Sequence, residues 1–222
     1  NIRVFEDTCE SIGSRFNKQK LGSFGLASSF SFYYGHHIST IEGGVVCGNE
    51  LEFMELVTSL RSHGWSRDIN KKLRDKLISK YSISEFRNLY SFYYPGFNLR
   101  STEINAYLGI QQLDLLETYC KTRSELFSIY KEQLKEFWNQ SSKCEFVSSF
   151  AYGTLVENPE IVWKTLASKG IESRPLICGS MGLQPFWKEI NGDYTPLRYA
   201  DQVHNHGIYL PINADMNEDD AK

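Results

Sequence analysis

The chain has 222 residues, 41% hydrophobic and 23% charged, with a net charge of −3. That balance supplies enough apolar side chains for a sizeable core and points away from nucleic acid and from an anionic membrane surface. No apolar run approaches a membrane span. The five cysteines (Cys9, Cys47, Cys120, Cys144, Cys178) are odd in number and lack C-x-x-C spacing, which argues against a disulfide framework or a zinc knuckle and for a reducing, cytoplasmic setting.

The sequence opens on Asn1, just ahead of a strand-like RVFED, and stops at Asp219-Asp220-Ala221-Lys222, so it reads as a fragment of a longer chain. Residues 1–50 alternate short apolar runs with glycine turns, which is an α/β pattern. Strands are predicted at 2–5, 28–33 and 45–47, with turns at Gly22, Gly25 and Gly43-Gly44. From Glu50 to His63, Leu51, Met54, Leu56, Val57 and Leu60 fall at helical spacing, and His63-Gly64 supplies the stop. Residues 65–95 are charged, then aromatic, and read as a long surface excursion of the kind that forms an active-site flap or a dimer contact.

From Ser101 onward, TEINAYLGIQQLDLLETYCKTRSELFSIYKEQLKEF keeps helical spacing with Ser101 or Thr102 as N-cap. This predicts one helix over about 102–137 bridging two domains, 1–115 and 116–222. The second reads as a small α+β domain, with strands at 146–155 and 174–177 and a helix at 159–170 between them. No internal repeat is present.

Taken singly, the polar residues beside these turns each have two readings. Glu6-Asp7 at a strand end suits a helix cap, or a carboxylate facing the ligand crevice of a parallel sheet, where it could hold a proton on a heterocyclic ring nitrogen. Ser29, Ser31 and Asn98 suit plain turns or phosphate binding. His36-His37 have no His or Cys at i+3 or i+4 and form no metal pattern, leaving a loop histidine or a proton carrier.

Taken together, EDTCESIG, LGSFG, SFSFYYGHHISTIEGG, LRSHGW and PGFNLRSTEINAYLGIQQL resemble, in order and spacing, the DegT/DnrJ/EryC1/StrS sugar aminotransferase family. That resemblance implies the aspartate-aminotransferase fold and pyridoxal 5′-phosphate. The chain would then hold the later part of the large cofactor-binding domain (1–115) and the small C-terminal domain (116–222).

The family strand motif reads S-F-x-x-x-K-N, and its lysine bonds covalently to the cofactor. Here Ser31 matches the serine and His36 stands where the lysine belongs. This exchange resembles the 3-dehydratases of nucleotide-linked 4-keto-6-deoxy sugars, which use pyridoxamine 5′-phosphate. IESRPLICGSMGLQPFW (171–187) is similar to their small-domain segment, with Arg174, Gln184 and Pro185 at matching places.

An imidazole forms no stable imine but exchanges protons near neutral pH. The resemblance therefore implies that His36 takes a proton from the carbon bearing the cofactor amine and helps expel the sugar 3-hydroxyl. It also places Asp7 at the ring nitrogen, Glu10 near the cofactor hydroxyl, Ser31 at the phosphate, and Asn98 at the same phosphate from the partner subunit, hence a homodimer with shared sites. Arg100 and Arg174 are candidate contacts for substrate phosphate or carboxylate, or solvated surface residues. His37 is a second polar contact or a loop residue.

Only Cys47 lies between His36 and Asn98, so the four-cysteine iron–sulfur branch of the lysine-free relatives does not match. Glutamate is the implied amino donor, with GDP or CDP on the sugar. Two further readings stay open: an aminotransferase that recruits another base, and a silent homologue that only binds nucleotide-sugar.

Overall fold

The computed structural model describes residues 2–194 and 196–222. Its elements in chain order are β1 (Phe5–Asp7), β2 (Arg15–Phe16), β3 (Gln19–Lys20), β4 (Ala27–Ser31), β5 (Gly44–Gly48), α1 (Leu51–Leu60), α2 (Lys71–Tyr81), α3 (Glu85–Asn88), α4 (Glu103–Leu113), α5 (Leu116–Gln133), β6 (Ala151–Leu155), α6 (Pro159–Ser168), β7 (Arg174–Pro175), α7 (Pro185–Asn191), α8 (Arg198–His206) and β8 (Gly207–Pro211). Short 3-10 turns cover Met181–Leu183 and Asp219–Ala221. The chain divides into two compact units: the residues up to Glu10 with Gln19–Asp114, and Ser11–Lys18 with Leu115–Lys222.

In the first unit β4 is the central strand, parallel to β1 and antiparallel to β5. The register sets Asp7 opposite Ser29 and Ser31 opposite Gly44. Asp7 and Ser31 thus close the carboxyl ends of two neighbouring parallel strands, the edge at which open α/β sheets present ligand-binding groups. The first strand lies later than the apolar run at 2–5 suggests, because the ladder to Ala27–Ser29 decides the pairing while Ile2 and Val4 stay exposed.

Glu6 holds the glycine loop in place. Its carboxylate accepts backbone N–H bonds from Gly22 (2.7 Å), Phe24 (2.6 Å) and Gly25 (2.7 Å). After α1 the chain turns through His63 and Gly64 at φ 62° and 78°. A Cβ on Gly64 would fall 1.8 Å from the Tyr94 carbonyl oxygen, so that close approach demands glycine.

The stretch read as a surface excursion contains two helices. Asn70 caps α2 by accepting from the Leu73 N–H at 2.9 Å, and Ser82 ends it in the left-handed region at φ 52°. The excursion then returns to the end of α1 through Phe97 N–H to Leu60 O and His63 N–H to Phe97 O, both 2.7 Å.

The single helix predicted over 102–137 is two, α4 and α5, with Asp114 and Leu115 in a turn between them. Helical periodicity runs through both and does not register so short a break. The boundary between the two units falls at that turn.

The second unit has an antiparallel sheet in the order β6-β8-β7. Leu126, Phe127 and Tyr130 of α5 pack on Tyr152, Ile212 and Ala221 to form its core. Arg123 is 4% exposed, and its Nη1 donates to the carbonyls of Phe150 (3.1 Å), Ile212 (2.6 Å) and Ser149 (3.4 Å). Ser11–Lys18 joins this unit through Ser14, whose hydroxyl donates to Ser148 O at 3.2 Å and accepts from Ser148 N–H at 2.9 Å.

Candidate active site

Beyond Ser31 the chain makes a loop over 32–43, closed at its neck by Phe32 N–H to Gly43 O (2.9 Å) and Thr40 N–H to Phe32 O (2.8 Å). A turn inside it, His36 N–H to Tyr33 O at 3.0 Å, presents the half-buried His36 ring, with the Tyr33 ring edge-on at 6.2 Å. His36 Nδ1 sits 2.6 Å from the carbonyl oxygen of Cys9, just past the end of β1. A carbonyl can only accept, so Nδ1 carries the hydrogen and the neutral ring keeps its lone pair on Nε2. One backbone contact thereby assigns the nitrogen that can act as base.

Asp7 is solvent-exposed beside it. Its Oδ1 accepts from the Cys9 N–H at 3.2 Å and from the Ser29 hydroxyl at 3.4 Å. The Cys9 thiol and N–H, then Ser29 and the nearby His36, hold this carboxyl below its ordinary range, against a smaller opposing effect of burial. Burial, and next the Asp7 carboxylate, push the Cys9 thiol up, so it stays a neutral donor. Thr8 fastens the turn by donating its hydroxyl to Ser29 O at 2.8 Å.

Glu10 is half-buried in the same turn, where its charge reaches the Cys9 thiol. The Ser31 hydroxyl accepts from Tyr33 N–H at 3.2 Å, which leaves its own proton to donate. His37, a candidate substrate contact by sequence, is only 3% exposed and belongs to the interior of the loop. Asn98 and Arg100 are exposed on the segment returning to α1, where Asn98 bridges Ser62 through its backbone. Arg174 is in the second unit, on the short strand β7, its guanidinium 5.8 Å from the Phe150 ring centre. Within the first unit the structure therefore brings Asp7, Glu10, Ser31 and His36 to one sheet edge and its loop, with His37 buried in that loop and Asn98 and Arg100 on a separate segment.

Sequence reasoning missed Asn105 and Gln112 of α4, which grip the outgoing limb of the His36 loop. The one signal available was a pair of carboxamides on the same helical face, which is common on any solvated helix. Among the described residues no group of three or more His, Cys, Asp or Glu could hold a metal ion.

Residues 1–222 match the model of the DegT/DnrJ/EryC1/StrS aminotransferase family. The chain belongs to that family. A similar relative is the GDP-4-keto-6-deoxy-D-mannose 3-dehydratase of Yersinia pseudotuberculosis, 30% identical over 223 residues, which span 95% of this chain and 55% of that protein.

Among solved structures of the family, a histidine-to-asparagine mutant of GDP-4-keto-6-deoxymannose-3-dehydratase with bound GDP-perosamine aligns with a TM-score of 0.86 at 26% identity, covering 99% of this chain and 59% of that one. A structure of the same enzyme with a trapped PLP-glutamate geminal diamine gives 0.82 at 27% identity, again over 99% and 59% of the two chains. The present chain therefore spans little more than half the length of these relatives and has their aminotransferase fold over that part.

Proposed function

We propose that this chain is the larger part of a nucleotide-sugar 3-dehydratase that works with pyridoxamine 5′-phosphate in the cytoplasm and removes the 3-hydroxyl of a GDP-linked 4-keto-6-deoxyhexose. The observation that carries the reading is His36 at the family's lysine position, tied through Nδ1 to Cys9 so that Nε2 is the basic nitrogen. The names of the similar dehydratases supply the substrate class.

The residues present fit the cofactor. Asp7 is an exposed carboxylate at the carboxyl end of a parallel strand, kept ionised by its own donors, which is what a protonated pyridine nitrogen needs opposite it. Ser31 ends the adjacent strand with a hydroxyl proton to give to a phosphate oxygen. When bound, the cofactor supplies an amine for the sugar ketone and a ring that takes up electron density.

This chain's residues do the rest. His36 Nε2 removes the proton beside the amine and returns it to the departing 3-hydroxyl, a transfer an imidazole can make in both directions near neutral pH. Asp7 keeps the ring nitrogen protonated throughout. Glu10, in the turn after β1, would lie near the cofactor hydroxyl; Asn98, exposed on a separate segment, would serve the phosphate of a partner subunit in a homodimer, and Arg100 a substrate anion. Arg174, in the second unit, carries a guanidinium suited to a substrate anion. Buried His37 is assigned no substrate contact. Glutamate, named in a family structure as an adduct partner, is the amino donor that restores the amine form.

Full-length protein given pyridoxamine 5′-phosphate, glutamate and GDP-4-keto-6-deoxy-mannose is expected to release ammonia and a 3-deoxy sugar. An amino-sugar product with no ammonia would make it an aminotransferase. Unchanged cofactor absorption on adding keto-sugar would make it a binding homologue.

A further inference from the structure

The outgoing limb of the His36 loop contains a backbone conformation that its sequence disfavours. Ile41 has φ 71°, in the left-handed region that a branched Cβ resists. Four side-chain contacts hold it there. Thr40 Oγ1 donates to Glu42 O at 2.9 Å. Ser39 Oγ accepts from the Ile41 N–H at 3.0 Å, and Asn105 Nδ2 donates to the carbonyls on either side, Thr40 O at 2.6 Å and Glu42 O at 3.2 Å.

Two turns further along the same face of α4, the Gln112 carboxamide pairs with Ser39 as a strand would. Its Oε1 accepts from Ser39 N–H at 2.8 Å and its Nε2 donates to Ser39 O at 2.5 Å. Between them Gly109 lets the helix close on the loop, since a Cβ there would lie 3.0 Å from Thr40 Cγ2. These bonds join segments more than sixty residues apart in sequence. Local bonds also close the limb, at its neck and from Thr40 Oγ1 to Glu42 O.

We infer that Asn105 and Gln112 are positioning residues for His36: by clamping residues 39–42 they keep the loop seated so that Nδ1 stays on Cys9 O and Nε2 stays the basic nitrogen. The inference rests on the dehydratase reading only for what His36 does next. Strain held by outside contacts beside a reacting group is a recurrent device at active sites.

Asn105→Asp isolates the clamp, because its oxygens still cap α4 by accepting from Thr102 while the N–H donors to Thr40 and Glu42 are gone. Gln112→Glu likewise removes the donor to Ser39 O and leaves that cap untouched, so one variant remains if the other does not fold. The full-length protein, labelled with 15N-histidine, is to be compared by NMR with each variant, the His36 signals being those missing from His36→Asn. Wild type should show His36 in the Nδ1–H form. Each variant should move toward the tautomer mixture of free imidazole, and kcat for the 3-deoxy product should fall about tenfold to a hundredfold with little change in KM.

Adding Ile41→Gly to Asn105→Asp should recover both readouts, since glycine takes that φ without support. An unchanged Nδ1–H signature in both single variants overturns the inference. A tautomer shift in a full-length protein that makes no 3-deoxy sugar upholds the clamp and removes the dehydratase reading instead.

Discussion

His36 Nδ1 and the carbonyl oxygen of Cys9 lie 2.6 Å apart, which ties the loop after β4 to the turn after β1. The link separates two properties of the side chain, its anchoring nitrogen and its basic nitrogen. His36→Asn can still donate an amide N–H to Cys9 O but has nothing to titrate. The full-length variant is expected to keep its melting temperature and lose about 10²–10⁴-fold in dehydration rate. His36→Lys, incubated with the aldehyde form of the cofactor, should gain a new visible absorption band, and its absence would mean that position 36 faces away from the cofactor.

Asp7 should not set the acid limb of the pH profile. Its carboxyl is held below the ordinary value of 3.8 by Cys9 first and then by Ser29 and His36. For a carboxyl lowered in the folded state, the contribution of the charge is present above the ordinary value and is lost only as pH falls through the lower folded one. Asp7→Asn is therefore expected to lower kcat by a constant factor between about pH 5 and 8 rather than to move a limb of the profile. A shifted acid limb in the variant would contradict the assignment.

Glu6 and its neighbour divide the labour of an acidic pair. Glu6 accepts three backbone N–H bonds from the glycine loop, whereas Asp7 faces outward at the strand end. Glu6→Gln puts an NH2 group where one of those oxygens accepts, so at least one loop N–H loses its partner. A loss of about 1–3 kcal/mol in urea-unfolding stability is expected, with cofactor affinity changed much less. Equal stability of variant and wild type would show that water replaces the lost acceptor.

How legible these features were depends on what each rests on. The strand at β4, helix α1 and its His63-Gly64 stop follow from apolar spacing and turn chemistry, which are local. The sequence order of His36 after Ser31 was visible only as a departure from a family pattern. Its hydrogen bond to Cys9 was not visible, because it depends on how β1 and β4 register. The break at Asp114-Leu115 escaped because both helices share one periodicity, and β8 escaped because GIYLP is short and ends in proline, although it is the central strand of the small sheet. Asn105 and Gln112 act only on a loop distant in sequence, and nothing local distinguishes them from solvated residues.

Arg123 shows how backbone carbonyls help to hold a buried charge. Its Nη1 reaches the carbonyls of Ser149, Phe150 and Ile212 around β6 and the end of β8, and burial pulls its ionisation below the ordinary range. Arg123→Met fills similar volume but leaves those acceptors without the donor. A destabilisation of about 2–4 kcal/mol is expected by chemical denaturation of the full-length protein. Stability within experimental error of wild type would show that the carbonyls find other donors.

Tyr130 gives the second unit an alkaline sensitivity. It is 8% exposed in the core and donates its hydroxyl to Pro211 O at 3.1 Å. Burial, with the charge of Asp220 adding to it, raises its phenol above the ordinary value of 10.0. A group raised in the folded state contributes stability that is complete below its unfolded value and is lost as pH rises through the folded one, because the unfolded chain releases the proton first. Burial raises Tyr152 in the same core in the same direction. Stability should therefore decline more steeply above pH 10.0 than an exposed tyrosine would allow. Tyr130→Phe is expected to cost about 1 kcal/mol at neutral pH through the unpaired Pro211 carbonyl, yet to flatten the alkaline decline. Denaturation curves collected from neutral to alkaline pH decide the matter: parallel declines for wild type and variant would mean that Tyr130 is not the group that titrates.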